Sequence, residues 1–160
     1  MGKEIEKKFL VTSYEFKKLG KGILYRQGYI STESARLVRV RIEGNRAVIT
    51  IKGAISSMSR REFEYGIPFE DAQNMLENLC LHPIIQKYRY KIDYEGFTWE
   101  VDEFLEENQG LLMAEIELEY ETQDFRKPSW IGKEVTGDRK YYNANLVRYP
   151  FSHWSDKEKT

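Results

Sequence analysis

Three segments decide the fold: IIQKYRYKIDY (84–94), FTWEVDEFL (97–105) and LLMAEIELEYE (111–121), separated by Glu95-Gly96 and Asn108-Gln109-Gly110. Each alternates with a two-residue period, which sends successive side chains to opposite faces of a strand. The glycine-containing turns between them read as hairpins. One parity is apolar or aromatic: Tyr88, Tyr90 and Ile92, then Trp99 and Val101, then Ile116 and Leu118. The other parity is ionic and sorted by sign. Lys87, Arg89 and Lys91 are followed by Glu100 and Asp102, then by Glu115, Glu117 and Glu119.

The same alternation extends toward the N-terminus. Strands are expected at about 2–11, 23–32, 36–43, 46–53 and 59–67, with Gly44-Asn45 as a hairpin turn, making eight strands in all. The ionic parity continues through Glu4, Glu6 and Lys8, Arg39 and Arg41, Lys52, then Arg60, Glu62 and Glu64, a total of nine acids and eight bases over the eight strands. Thr12-Ser13 is placed to cap a short helix over TSYEFKKL, ended by Gly20 and Gly22. PFEDAQNMLENLC (68–80) reads as a helix with Ala72, Met75, Leu76 and Leu79 on its apolar side. Beyond 124 the pattern changes. WIGKEV is expected as a short helix after Pro128-Ser129, DRKYYNANLV as a second helix covering one end of the strands, and SDKEKT (155–160) as a frayed polar end.

Two arrangements satisfy this pattern. A sheet packed on helices would keep its charged face in water, the usual location of charge. A closed barrel would turn that face inward, and eight strands is a natural closure number that removes exposed edges. The residues alone favour the solvated sheet; the clustering of like charges is the one detail against it, because a surface shaped only for solubility mixes its signs. Ionic groups in a barrel interior cost several kcal/mol each unless they are paired or hold ions. An acid cluster for a divalent cation and a base cluster for a polyanion would justify that cost.

Composition agrees with a folded, soluble chain. The 160 residues fit one domain, taken here as residues 1–160, with strands to about 121, a helical segment over 124–150 and a polar tail. Lysine and arginine total 25 against 26 acids, a net charge of −1, although 32% of residues are charged where ~25% is usual. That balance disfavours nucleic-acid binding through a broad basic surface. No apolar run reaches membrane-spanning length, and Met1-Gly2-Lys3-Glu4 carries no signal-peptide core. Cys80 is the single cysteine, so no internal disulfide forms and a cytoplasmic location is expected. The aromatic outer parity, with Phe63, Tyr88, Tyr90 and Trp99, needs covering, and a homodimer is the expected cover where helices fall short.

Glu4-Ile5-Glu6-Lys7-Lys8 fits a Glu-x-Glu-x-Lys signature. It is followed in order by Arg39-Val40-Arg41, Thr50-Ile51-Lys52-Gly53, Glu62-Phe63-Glu64-Tyr65, Lys87-Tyr88-Arg89-Tyr90, Trp99-Glu100-Val101-Asp102 and Ala114-Glu115-Ile116-Glu117-Leu118. This ordered set resembles the CYTH domain of the triphosphate tunnel metalloenzymes. The tail, Trp130 to Asp138 and Tyr141 to Leu146, resembles the family's short bacterial branch. The resemblance implies a mainly β (α+β) fold: a closed eight-stranded antiparallel β-barrel tunnel with a charged interior and flanking helices. It further implies Mg²⁺- or Mn²⁺-dependent chemistry on a small polyanionic triphosphate.

What the resemblance implies can be written residue by residue. Arg39, Arg41, Lys52, Lys87 and Arg89 would bind phosphate oxygens, with Lys8 beside them. Glu4, Glu6, Glu115 and Glu117 would be metal ligands. Their hard oxygen donors suit Mg²⁺ or Mn²⁺, whereas a zinc site would want histidine or cysteine, and His82 and His153 lie outside the pattern. Glu62, Glu64, Glu100 and Asp102 would support these groups or a second ion. Tyr29 and Lys87 match the tyrosine and lysine that the tripolyphosphatase branch places near the reacting phosphate, and together with Lys8 they are the catalytic candidates. The expected reaction is tripolyphosphate hydrolysis to pyrophosphate and phosphate. The alternatives are nucleoside triphosphatase, thiamine triphosphatase, class IV adenylate cyclase, and a non-catalytic polyphosphate- or nucleotide-binding module.

Overall fold

The computed structural model describes residues 2–56 and 59–159. Met1, Ser57, Met58 and Thr160, the last belonging to the polar tail, lie outside the described residues. Eight antiparallel strands form one sheet: β1 (Gly2–Val11), β2 (Ile23–Ser31), β3 (Leu37–Glu43), β4 (Arg46–Ala54), β5 (Ser59–Gly66), β6 (Ile85–Tyr94), β7 (Phe97–Phe104) and β8 (Leu112–Glu117). The sheet runs β5-β4-β3-β2-β6-β7-β8-β1 and closes because β1 also pairs with β5, Glu4 opposite Arg60 and Gly2 opposite Glu62. The expected barrel is thus present, and the solvated open sheet is not. The β3–β4 turn holds register with Glu43 opposite Arg46, and Gly44 takes φ +61°, a left-handed conformation natural to glycine.

Three expectations about the flanking segments are corrected. Residues Ile131–Glu134 form a ninth strand, β9, not a helix. They pair with the stretch of β1 edge that β5 leaves open, so Phe9 meets Ala114 on one side and Glu134 on the other. Thr12 N–H donates to the Trp130 carbonyl and Val135 N–H to that of Lys8. Those open backbone groups need partners, which outweighs local helix preference. Gly132 is the residue that permits the approach, since a Cβ there would lie 2.8 Å from Thr12 Cγ2. Leu79 is exposed, because helix α1 (Phe69–Asn78) ends before it and Cys80 takes the buried position. The polar end is tied down through residue 159. The Glu158 carboxylate accepts from Tyr149 O–H at 2.7 Å and from Ser155 N–H at 3.0 Å, and Lys140 Nζ donates to the Glu158 carbonyl.

The other short elements follow the sequence loosely. TSYEFKKL becomes one 3-10 turn at Glu15–Lys18, with Ser13 Oγ accepting from Glu15 N–H. DRKYYNANLV splits into a 3-10 turn, Arg139–Tyr141, and helix α2, Asn143–Arg148.

The apolar outer face is covered in two patches. Ala72, Leu76 and Cys80 from α1 and its end pack on Val40, Ile42 and Ala47. Around the barrel, Phe16 and Trp130 pack on Phe9, Trp99, Val101 and Ile116, with half-buried Phe125 against them. Trp99 sits edge-on to Phe9, Phe125 and Trp130 at centroid distances of 5.5, 5.8 and 6.5 Å. Ile51 and Tyr65, on the outer face of β4 and β5, stay exposed. A third cluster fills one end of the barrel. There Tyr29, Leu37, Ile85, Phe104 and Met113 meet Tyr141, Leu146, Val147 and Trp154 of the C-terminal segment.

Trp99 is fully buried, yet its indole N–H has no partner among the described residues. Removing the ring should cost about 3–5 kcal/mol. Trp99→Phe keeps an aromatic ring and removes the unsatisfied donor, whose burial itself costs about 1–3 kcal/mol. Urea unfolding is therefore expected to show Trp99→Ala as far less stable than Trp99→Phe, with unchanged m-values; equal losses would contradict this packing.

Candidate active site

Barrel closure converts an alternating sequence into one lined cavity of about 440 Å³. Of the charged residues assigned to the ionic parity, all but Asp102 and Glu119 line it. Strand order then sorts the charge. Moving through β7, β8, β1 and β5 gives Glu100; Glu115 and Glu117; Glu4 and Glu6; Glu62 and Glu64. Moving through β4, β3, β2 and β6 gives Lys52; Arg39 and Arg41; the uncharged Tyr25, Gln27 and Tyr29; then Lys87, Arg89 and Lys91. One half of the wall is mainly acidic and the other mainly basic. Lys8 and Arg60 stand as cations within the acidic half, and Glu43 as an acid within the basic one.

The four candidate metal ligands occupy adjacent strands, Glu6 directly opposite Glu117 and Lys8 opposite Glu115. Burial and the neighbouring Glu115 and Glu4 carboxylates push the Glu6 carboxyl well above its usual range. Burial also opposes ionisation of Glu115, but Lys8 and a hydrogen bond with Glu6 outweigh it and hold Glu115 well below the usual carboxylate range. The Glu62 carboxyl is raised to about 7, chiefly by its hydrogen bond with Glu4 and by burial. Glu4 itself is lowered: burial is outweighed by Glu62 and by Lys52, whose Nζ lies 3.0 Å from Glu4 Oε1. Among the described residues no three acids, histidines or cysteines converge closely enough to ligate an ion as placed. They pair off instead, Glu6 with Glu115 and Glu4 with Glu62. The donor chemistry nonetheless fits a hard divalent cation, since crowded carboxyls that relieve part of their mutual repulsion by sharing protons would gain by sharing an ion.

The basic half is built for oxygen contacts. Arg41 Nη2 lies 2.7 Å from Glu43 Oε2, and Arg39 Nη2 donates to Thr50 Oγ1 at 3.1 Å. Both guanidinium Nε atoms are buried without partners among the described residues. Glu64 stays below its usual range because Thr50, Arg41 and Arg39 outweigh burial. Arg41 and Arg89 lie over the Tyr25 ring at 4.9 and 5.0 Å. Burial, with Arg39 and Arg89 nearby, lowers Arg41 from its ordinary value.

Asp102 sits behind the wall. It accepts from Arg89 Nε and Nη2, each at 2.8 Å, and lies 2.8 Å from Lys87 Nζ. These two cations hold its carboxyl low against the effect of burial. Occupied in this way, it supports bases and does not reach into the cavity. Burial brings the Lys87 ammonium down to about 7 despite Asp102. Glu100 lies 3.5 Å from Arg89.

Lys87 and Tyr29 share the cavity, but the structure joins them through intermediates. Lys87 Nζ donates to Asn143 Oδ1 at 2.9 Å, Gln27 Nε2 donates to the same oxygen at 3.3 Å, and Gln27 Nε2 also donates to Tyr29 Oη at 2.9 Å. Tyr29 Oη thus accepts from Gln27 and keeps its own hydrogen free to donate. Asn143 was not among the expected site residues, and neither were Arg139 and Asn145, which also line the cavity. The tail carries no strand alternation that would flag them. Tyr142 beside them lies under two cations, Lys8 Nζ at 5.1 Å and Arg60 at 4.9 Å from the ring centre.

Comparison with known proteins agrees with this architecture. The chain is 54% identical to an inorganic triphosphatase of Acetivibrio thermocellus, over 98% of this chain and 100% of that protein. It is 33% identical to an inorganic triphosphatase of Nitrosomonas europaea, over 90% and 96%. The crystal structure of the inorganic triphosphatase NE1496 superposes with a TM-score of 0.66 at 30% identity, covering 92% of this chain and 95% of that one. The sequence model of the CYTH domain matches residues 2–145, which takes in every strand of the barrel and the ninth strand against it, and the chain belongs to the CYTH domain family.

Proposed function

We propose that this protein is a divalent-metal-dependent hydrolase of inorganic tripolyphosphate, releasing pyrophosphate and phosphate. The carrying observation is the division of one cavity wall into an acidic and a basic half. A polyanion and the cations that accompany it need complementary surfaces, and a single closed wall supplies both. The names of the similar proteins support the choice of an inorganic triphosphate.

In this reading Arg39, Arg41, Lys52 and Arg89 hold phosphate oxygens. The arginines offer paired donors, including the two unpartnered Nε groups, and Lys52 a point charge. Their present carboxylate partners keep them oriented before the substrate arrives, so little reorganisation accompanies binding. Glu4, Glu6, Glu115 and Glu117 would hold the metal, Mg²⁺ or Mn²⁺. When bound, it would neutralise phosphate charge and favour ionisation of the attacking water. Water attacks the terminal phosphorus, and the bridging oxygen leaves with pyrophosphate. Lys87 faces that oxygen as a charge or as a proton donor, and the free O–H of Tyr29 donates to a neighbouring phosphate oxygen. Lys8, 3.8 Å from Glu115, stands where acidic and basic surfaces meet and would contact both phosphate and ligand carboxylate. Glu62, Glu64 and Glu100 orient the bases beside them, and Asp102 orients Arg89 and Lys87.

The test is phosphate release from tripolyphosphate, ATP and thiamine triphosphate with Mg²⁺ or Mn²⁺. Tripolyphosphate should be cleaved much the fastest. Equal rates on ATP would replace the assignment with a general nucleoside triphosphatase, and cyclic AMP formation would replace it with a cyclase. Glu6→Gln and Glu117→Gln should weaken Mn²⁺ binding, read by electron paramagnetic resonance. They should also lower activity by more than the ~10–100-fold typical of losing a group that only supports a ligand. Unchanged Mn²⁺ binding would move the metal elsewhere.

Lys87 gives a pH signature. Its protonated form dominates below about 7 in the free protein, so kcat/KM should fall as pH rises through that value. Lys87→Ala should lower kcat by about 10²–10⁴-fold. Lys87→Arg, which stays charged, should abolish the falling limb whatever its absolute rate. A limb that persists in Lys87→Arg would assign it to another group.

A further inference from the structure

The chain after β9 lies outside the barrel's strand ladder, yet one of its side chains touches the lysine that matters most to the proposed chemistry. Lys87 is almost wholly buried, and its Nζ lies 2.8 Å from Asp102 Oδ2, 2.9 Å from Asn143 Oδ1 and 5.4 Å from the centre of the Phe104 ring. An ammonium has donors only, so the Asn143 atom facing it must be the carbonyl oxygen, and the amide orientation is fixed by chemistry. The same oxygen receives Gln27 Nε2, whose other contact is Tyr29 Oη. A single acceptor on the first residue of α2 therefore sits between Lys87 and Tyr29, two of the three catalytic candidates. Asp102 is shared with Arg89, which takes both carboxylate oxygens in its fork. Asn143 is the contact that fixes the Lys87 ammonium from the cavity side.

We propose that Asn143 is a positioning residue that aims the Lys87 ammonium at the substrate's leaving oxygen and holds Tyr29 in register with it through Gln27. This deepens the tripolyphosphatase reading and rests on it for the identity of the substrate. Asn143 itself need not touch substrate. Without its carbonyl, Lys87 would turn toward Asp102 alone, where its charge is spent on a carboxylate behind the wall. Ground-state binding by Arg39, Arg41 and Lys52 would persist, so the loss should fall on kcat and not on KM.

The test compares Asn143→Ala and Asn143→Asp, each alone and combined with Lys87→Ala, with tripolyphosphate as substrate. Asn143→Ala should lower kcat about 10–100-fold, as expected for losing a hydrogen bond to a charged group, with KM within about threefold. Asn143→Asp, which retains an acceptor, should recover most of that loss. In the Lys87→Ala background Asn143→Ala should have no further effect, because the residue acts through the missing lysine. An undiminished loss in that background, or a loss confined to KM, would overturn the proposal. A second readout does not depend on any substrate. In ¹⁵N-lysine-labelled protein at pH 6, the Lys87 ammonium should exchange hydrogen with solvent slowly, and faster in Asn143→Ala. Unchanged exchange would also overturn the proposal. Normal exchange behaviour with no tripolyphosphate cleavage by the wild type would instead sink the substrate assignment and leave the positioning contact standing.

Discussion

Everything in the site depends on the pairing of β1 with β5. Without that seam the sheet would be open, and its ionic face would be a solvated surface in which like charges sit at safe distances in high dielectric. With it, β5 comes next to β1 and the acids of β5, β1, β8 and β7 become neighbours. The bases of β4, β3 and β6 then form the opposing half around the uncharged inner face of β2, Tyr25, Gln27 and Tyr29. Backbone hydrogen bonding thus creates an electrostatic object that no local stretch of chain contains. The seam places Glu4 opposite Arg60, a pair of opposite charge on the cavity-lining parity, and Lys3 opposite Arg61 on the other parity.

Holding that much charge in a small interior is tolerable because almost none of it is isolated. Arg89, Asp102 and Lys87 form the most deeply buried group, and their contacts at 2.8 Å show how the cost is met. Desolvation would favour neutral forms, and it is visible in the lowered Lys87. Asp102 and Arg89 instead stay ionised together, because each is the other's chief compensation. The consequence is a division of labour within one cluster. Arg89 remains a permanent charge, while Lys87 alone lies close enough to neutrality to exchange a proton near physiological pH.

The sequence carries the barrel strands clearly because inside and outside differ there in the strongest possible way, ionic against aromatic. Glu115–Ile116–Glu117 or Lys87–Tyr88–Arg89 leaves no ambiguity about which parity is which. Closure itself was less legible, since a two-residue period is the same for an open sheet and a tunnel; the ordered motifs supplied the difference. The C-terminal segment defeated local reading for a different reason. Trp130 to Val135 pairs as a strand because β1 offers an unpaired edge, which is a property of the assembled barrel. Asn143 enters the site by the docking of Leu146, Val147 and Trp154 into the barrel's end, and an asparagine among YYNANL announces nothing. Glu158 likewise looks like part of a loose polar end until Tyr149 and Lys140 are placed beside it.

The contacts that complete the cavity span most of the chain: Lys8 N–H donates to Thr136 Oγ1 across 128 positions, and Gln27 donates to Asn143 across 116. Long-range pairings of this kind form slowly, because closing the long loop between the partners costs entropy before the contact gives any return. During synthesis, the acids of β1 would therefore emerge long before the acids of β8 or the asparagine of α2. A growing chain carries the ligands and cations as scattered surface charge, with no concentrated field to trap metal or polyphosphate. The acidic half of the wall is therefore complete only once β8 has been made and has paired with β1 and β7.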